Sequence, residues 1–337
     1  MHNNNIDFAK IIPQFEALNA PRNYWMVRTM GGAYYGDFVR NGYTAIGFDE
    51  ITLDYLRQLP TNPNDAKEKL KPIIAANYEG ISQYGYYASQ ILHFYRDMKE
   101  GDVVIIPSTG AAHIAIGIVK SSVYEETSPV LDTEHVCKFK KRRTIAWKVY
   151  CRRSNLPPAL QLVFNSRHPV SNVSNYAPYI DSLLNDCYYK DEKMHLVLRI
   201  KTRNDVTMDD FFCFSQIKQM AEQICANAGY PIDDPIVIKI QMESPGWCRL
   251  STKCIMGLLV VGLIVVGISG GGIRCSRKNG LDVHTDGLLY AVSDYLDRHA
   301  ERELVKSIAR SLDSLKVDSV KDIEPYLELL KHKKGLE

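Results

Sequence analysis

The sequence lacks the short motifs that announce common chemistries. Its eight cysteines include no C-x-x-C pair, so neither a zinc ribbon nor a thioredoxin-type site is signalled. There is no H-E-x-x-H and no P-loop, which removes the commonest zinc-protease and nucleotide-phosphate signatures. Paired carboxylates at useful spacing are missing. The nine histidines are scattered, and His93 and His113 read as structural. The start, M-H-N-N-N-I-D-F, is too polar for a signal peptide. Cysteines dispersed through so long a chain do not read as a disulfide framework, so the thiols read as reduced and cytosolic. No catalytic residue, metal site or cofactor is expected.

One further absence is local. Between Glu134 and Asp181 there is no acidic residue, although the whole chain carries a net charge of only +2. The interval holds Lys138, Lys140, Lys141, Arg142, Arg143, Lys148, Arg152, Arg153 and Arg167. Cations at this density attract a phosphate backbone and would bind it in a salt-dependent way. The competing reading is a basic surface loop balanced by acids elsewhere in space. Ser166, Asn165 and Asn172 lie in the same interval and could read base edges.

What is present is a folding chain. Its 337 residues are 45% hydrophobic and 24% charged, enough for two or three domains. From Tyr24 to Trp147 short apolar strands alternate with turns, with a helix over Tyr84–Met98. This pattern fits a small curled sheet or barrel rather than a doubly wound α/β fold. Beyond residue 190, M-H-L-V-L-R-I-K-T reads as a strand, 208–228 as an amphipathic helix and D-P-I-V-I-K-I-Q-M as a second strand. That succession reads as a βαβ crossover or a small α+β layer. Leu304, Ile308, Leu312 and Leu315 recur at helical spacing. A short strand over Leu281–Val283 and a last helix over 317–332 complete the expectation.

The pieces Y-W-M-V-R, G-G-A-Y-Y-G-D-F, G-Y-T-A-I-G-F-D-E, F-Y-R-D-M-K-E-G-D-V-V-I-I-P-S-T-G-A-A-H-I-A-I-G-I-V and R-R-T-I-A-W-K, in that order, resemble an EVE/PUA-like domain. They are most similar to the N-terminal reader domains of Mrr-type restriction proteins. The resemblance implies a compact β-barrel with a pocket for a nucleotide base. It places Trp25, Arg28, Tyr34, Tyr35, Phe48, Pro107, Ser108 and Trp147 at that pocket. The cations Lys140, Lys141, Arg142, Arg143 and Arg167, with Ser166, join them from the basic interval. Trp25 and Trp147 also have a plain reading as core residues. Mrr-type proteins carry a PD-(D/E)xK nuclease, yet the one comparable strand, D-D-P-I-V-I-K-I-Q-M-E, lacks a Glu-x-Lys at its end. The chain thus resembles the family's reader without its cutter.

Cys254 to Ile273 holds no charged residue. Twenty helical residues would span about 30 Å, the hydrocarbon thickness of a bilayer. Arg249 and Lys253 flank it on one side, Arg274, Arg277 and Lys278 on the other, with Trp247 as an interfacial aromatic. Gly257, Gly262, Gly267 and Gly271 would allow close helix packing. The alternative is a buried strand pair or core helix.

The expected architecture is α+β. A PUA/EVE-like β-barrel over 1–185 senses a nucleic acid or nucleotide. A small α+β (βαβ) domain over 186–250 couples subunits. A transmembrane helix over 254–273 precedes a C-terminal helical region over 274–337. This order is similar to membrane effectors of bacterial antiphage signalling systems such as Hailong-type DNA-gated channels. That resemblance implies an ion channel in the bacterial inner membrane, gated by a short nucleic acid bound to a cytoplasmic N-terminal domain. Its partners would be membrane lipid, further copies of the chain in a homo-oligomer with a tetramer favoured, and a nucleotidyltransferase. Two other readings are a membrane-tethered reader of foreign DNA without a pore, and a nuclease using Asp233, Asp234 and Glu243.

Overall fold

The computed structural model describes residues 12–14, 21–127, 135–241, 246–269, 292, 294–296, 298, 303–317, 320, 322–323 and 325–326. They divide into two compact units, Pro21–Leu184, and Met1–Ala20 with Asn185–Glu337.

The first unit is a curled seven-stranded sheet, a half-barrel. Its strands are β1 (Tyr24–Val27), β2 (Tyr43–Ile46), β3 (Val103–Pro107), β4 (His113–Val119), β5 (Tyr124–Glu125), β6 (Lys141–Arg152) and β7 (Val170–Asn172). They lie in the order β2–β6–β4–β3–β1–β7, with β5 also on β6. Side chains alternate between two cores, as strand geometry requires. Trp25, Val27, Val104, Ile106 and Ala115 face one side with Phe38, Tyr43 and Phe94. Tyr24, Met26, Val103, Ile105 and Ile114 face the other, covered by Leu156, Leu160, Phe164 and Ile180. Burial on both faces explains why Y-W-M-V and V-V-I-I-P are continuously apolar.

Helices fill the connections. α1 (Tyr35–Asn41) follows β1, and α2 (Leu53–Gln58) and α3 (Pro63–Asn77) follow β2. The Thr52 hydroxyl accepts from Tyr55 N to cap α2. The Asn62 side chain caps α3, and Pro63 opens it. α4 (Tyr84–Leu92) runs on into a π-helical turn, His93–Asp97. α2, α3 and α4 share a small core of Leu53, Leu56, Leu70, Ile74, Ala88 and Ile91. The short α5 (Pro158–Gln161) and α6 (Ala177–Leu184) cover the second face.

The second unit has strands β8 (Cys187–Lys190), β9 (Lys193–Ile200), β10 (Val237–Gln241) and β11 (Gly246–Thr252). The helices are α7 (Met208–Asn227), α8 (Ile255–Ile268) and α9 (Glu303–Leu315). A reciprocal capping box joins Thr207 and Asp210 and fixes the start of α7. The sheet order is β10–β11–β9–β8, and every pairing is antiparallel. The strands flanking α7 do not pair with each other, so the expected βαβ crossover is corrected to two hairpin-type pairs joined by a helix.

The expected transmembrane helix is also corrected. No helix among the described residues is long and apolar enough to cross a membrane. α8 has 14 residues, about 21 Å at helical rise, short of the roughly 30 Å of hydrocarbon. All residues from Ile255 to Val265 are buried in one core with Leu196, Leu198, Ile217, Met220, Ile308 and Leu312. A helix enclosed on every side is apolar all round for that reason. Its glycines serve this packing. A Cβ on Gly257 would lie 2.7 Å from Ile232 Cδ1, and one on Gly262 would lie 2.6 Å from Ile323 Cδ1. Gly267 is in the last turn of α8, and Gly271 falls outside the described residues. Trp247 and Arg249 are buried residues of β11 rather than interfacial anchors. In the C-terminal region, α9 buries Ile308, Leu312 and Leu315. The strand expected at Leu281–Val283 and most of the helix expected over 317–332 lie outside the described residues.

Candidate nucleic-acid interface

Strand directions bring five strand ends to one end of the half-barrel. β1 is parallel to β3, β4 is antiparallel to β3 and β6, and β7 is antiparallel to β1. The C-terminal ends of β1, β3 and β6 therefore meet the starts of β4 and β7. This mouth is built from Arg28–Gly36, Pro107–His113, Lys148–Arg153 and Phe164–Pro169. None of those segments contains an aspartate or glutamate.

Hydrogen bonds hold the rim. The Thr29 hydroxyl donates to Pro107 O at 2.5 Å. Arg28 N donates to Pro169 O, and its guanidinium donates to Phe164 O at 2.6 Å and to Ser166 O. His113 N donates to Ser108 Oγ at 2.8 Å. Burial and the nearby charge of Arg153 lower the Arg28 pKa. Ser166 and Ser171 hydroxyls bond at 2.9 Å, and Arg167 is exposed.

The outward groups are aromatic and basic. Tyr150 is 58% exposed and stands opposite Ala115, a residue of the core that holds Trp25 and Phe38. Arg152 is exposed and stands opposite His113, also exposed. The register shift between Ile116 and Gly117 leaves Lys148 as the extra residue of a bulge, exposed between Trp147 and Val149. Tyr35 is half-buried beside Tyr150 and Cys151. Burial raises the pKa of its phenol, and those two neighbours add to the shift. Met30, 63% exposed, projects from the loop after β1.

The structure sorts the sequence-derived residues. Arg28, Tyr35, Pro107, Ser108, Ser166 and Arg167 belong to the mouth or its rim. Trp25 is 2% exposed, and its indole N–H donates to Asp102 Oδ2 at 2.8 Å, so it is core and not a base cage. Trp147 is half-buried and donates to Phe38 O at 2.9 Å, tying β6 to α1. Tyr34 packs edge-on against Phe139. Phe48 packs on Tyr78 and Tyr87.

The basic run Lys140–Arg143 lies at the opposite end of β6, about 35 Å of strand from Arg152 at the usual rise. Three of its four side chains are internal. Lys141 Nζ, on a side chain 1% exposed, donates to Phe48 O at 2.7 Å and pairs with Asp49 at 3.3 Å. Burial lowers the Lys141 pKa, and Asp49 opposes that shift. Arg142 donates to Phe139 O and Cys137 O, pairs with Glu126 and lies over the Tyr43 ring. Arg143 donates to Phe94 O, Ser121 O, Tyr95 O and Met98 O, and burial lowers its pKa to about 10. These cations are structural ties, because buried charge is tolerated only when its hydrogen bonds are met. Lys140 alone is exposed.

Only part of the alternative nuclease site, Asp233 and Asp234, falls on described residues. Asp234 caps the end of β11, accepting from Thr252 Oγ1 at 2.8 Å and Lys253 N at 2.7 Å. Glu243 lies outside the described residues. Among the described residues no three of His, Cys, Asp and Glu gather to hold a metal. The letters G-I-S-G-G at 267–271 match a nucleophile elbow in sequence. Ser269, however, ends α8, and its hydroxyl donates to Val265 O at 2.7 Å, whereas an elbow turns from strand to helix.

A family model described as a domain of unknown function (DUF8426) matches residues 26–161, less than half of the chain. The matched segment takes in the mouth residues from Arg28 to Arg152 and leaves out Ser166 and Arg167. Comparison with curated proteins gives no match.

Proposed function

We propose that residues 21–184 form a binding module for short single-stranded nucleic acid, with the mouth of the half-barrel as its contact surface. One observation carries the reading. Tyr150, Arg152, His113 and Lys148 are exposed side by side at an end of the sheet built from four described segments that contain no aspartate or glutamate. Exposed aromatic rings offer stacking faces worth roughly 1–3 kcal/mol per base. Flanking cations neutralise phosphates and give a salt-dependent affinity, with a slope of about 0.7 per phosphate for single strands. Single strands are favoured over duplex because a ring can stack only on a base that is already unstacked. The sequence expectation of a channel depended on a span that α8 does not supply, so binding is the activity put forward.

The test is fluorescence anisotropy of a short labelled single-stranded DNA. Tyr150→Ala should weaken binding about tenfold, within the range for one stacked base. Equal affinity of the variant and the parent chain would count against the reading.

A further inference from the structure

At the end of β3 remote from the mouth there is a second concave site. The Lys99–Asp102 turn precedes β3, and Ser122 and Val123 follow β4, whereas the mouth gathers the other ends of both strands. The cavity there measures about 440 Å³, within the range that takes small-molecule ligands. Its floor is apolar, made by the buried Leu53, Leu56 and Leu59. Three cations stand around it, Arg57, Arg96 and Lys99, with the hydroxyls of Thr61 and Ser122 and the ring of Tyr95. None of the residues lining it is acidic.

The cations differ in how they are held. Arg96 donates to Leu59 O and Pro60 O, which fixes its charge in place. Arg143 lies beneath, donating to Tyr95 O and Ser121 O, and adds a positive charge behind the wall. Arg57 is 65% exposed and pairs at 2.7 Å with Asp54, one turn away on α2. An exposed pair of this kind is worth little and gives way to a stronger anion. Glu125 and Asp102 also touch lining residues, accepting from Leu53 N and Lys99 N, each at 2.9 Å.

An apolar floor with a rim of guanidinium and ammonium groups matches a ligand with two parts, a flat apolar body and a phosphate. Arginine forks and a lysine point charge are the usual partners of phosphate oxygens. The geometry points to a nucleoside monophosphate site in this pocket, separate from the mouth and independent of the nucleic-acid reading.

The test uses the full chain and isothermal titration with AMP, adenosine and inorganic phosphate. AMP should bind, and adenosine and phosphate alone should each bind about tenfold more weakly or less. The double variant Arg57→Glu, Lys99→Glu alters two exposed side chains. It should lower AMP affinity by roughly tenfold or more and leave anisotropy binding of the oligonucleotide unchanged. Four outcomes overturn the proposal. They are no AMP binding at millimolar concentration, AMP affinity untouched by the double variant, phosphate binding as tightly as AMP, and loss of oligonucleotide binding in parallel with AMP, which would mean one shared site.

Discussion

A Cβ on Gly32 would lie 2.1 Å from the backbone nitrogen of Thr109. The loop after β1 therefore packs backbone to backbone on the loop after β3, and Gly32 does so at φ +106°, a conformation that side chains rarely adopt. Gly32→Ala should cost roughly 1–3 kcal/mol and push the two rim loops apart. A urea titration checks the stability, and an unchanged midpoint would show that the rim tolerates separation.

Asp102 accepts from Asn23 N, Lys99 N and the Trp25 indole, all within 2.9 Å. Removing it strands donors that are buried or half-buried. Asp102→Ala should destabilise the chain by about 3 kcal/mol or more. Thermal unfolding measures this. Oligonucleotide affinity at a temperature where the variant is folded should stay near that of the parent, because Trp25 is core and does not touch the ligand.

Alkaline pH should act on the second unit. Burial raises the thiols of Cys213, Cys225 and Cys248 from an ordinary value of 9.0 to about 12. Folded pKa values above the unfolded ones mean that the folded state holds protons that the unfolded state releases. Stability is then constant below about pH 9 and falls as pH rises toward 12, by up to 1.4 kcal/mol per unit for each fully affected thiol. Denaturant midpoints between pH 8 and 11 should decline, and Cys213→Ala should flatten the decline. A midpoint that does not move across that range would contradict the burial.

Leu259 is fully buried in α8. Leu259→Lys should unfold the second unit, since an unpaired charge there has no partner and no water. Circular dichroism of the purified variant reads this directly. A variant that kept its secondary structure and its melting temperature would mean that α8 does not sit in a protein core.

Much of the fold could be read from the chain. The strand–turn rhythm from Tyr24 to Trp147 corresponds to the curled sheet, and the amphipathic pattern at 208–228 to α7. Three features were hidden for physical reasons. The run over 254–273 has the composition of a membrane helix because α8 is enclosed on all sides, and hydropathy does not distinguish lipid from protein neighbours. The β8–β9 turn uses Asp191 and Glu192 at φ 52° and 58°, where Gly or Asn would have signalled a hairpin. The acid-free interval suggested one basic surface. Its cations instead divide between the two ends of β6, and Lys141, Arg142 and Arg143 are turned inward onto backbone carbonyls and the acids Asp49 and Glu126 from other segments. The alternation Lys148, Tyr150, Arg152 was the signal for the mouth, legible once 141–152 is taken as a single strand with a bulge.

The most direct test compares the two ends of β6. Arg152→Glu, at the end of β6, and Lys140→Glu, immediately before its start, each reverse one exposed charge, so their electrostatic changes are equal. Anisotropy titration of a short single-stranded DNA at fixed low salt should show Arg152→Glu weakening binding by roughly tenfold or more, with Lys140→Glu within about twofold of the parent. Equal losses for both variants, or a greater loss for Lys140→Glu, would contradict the placement of the nucleic acid at the mouth.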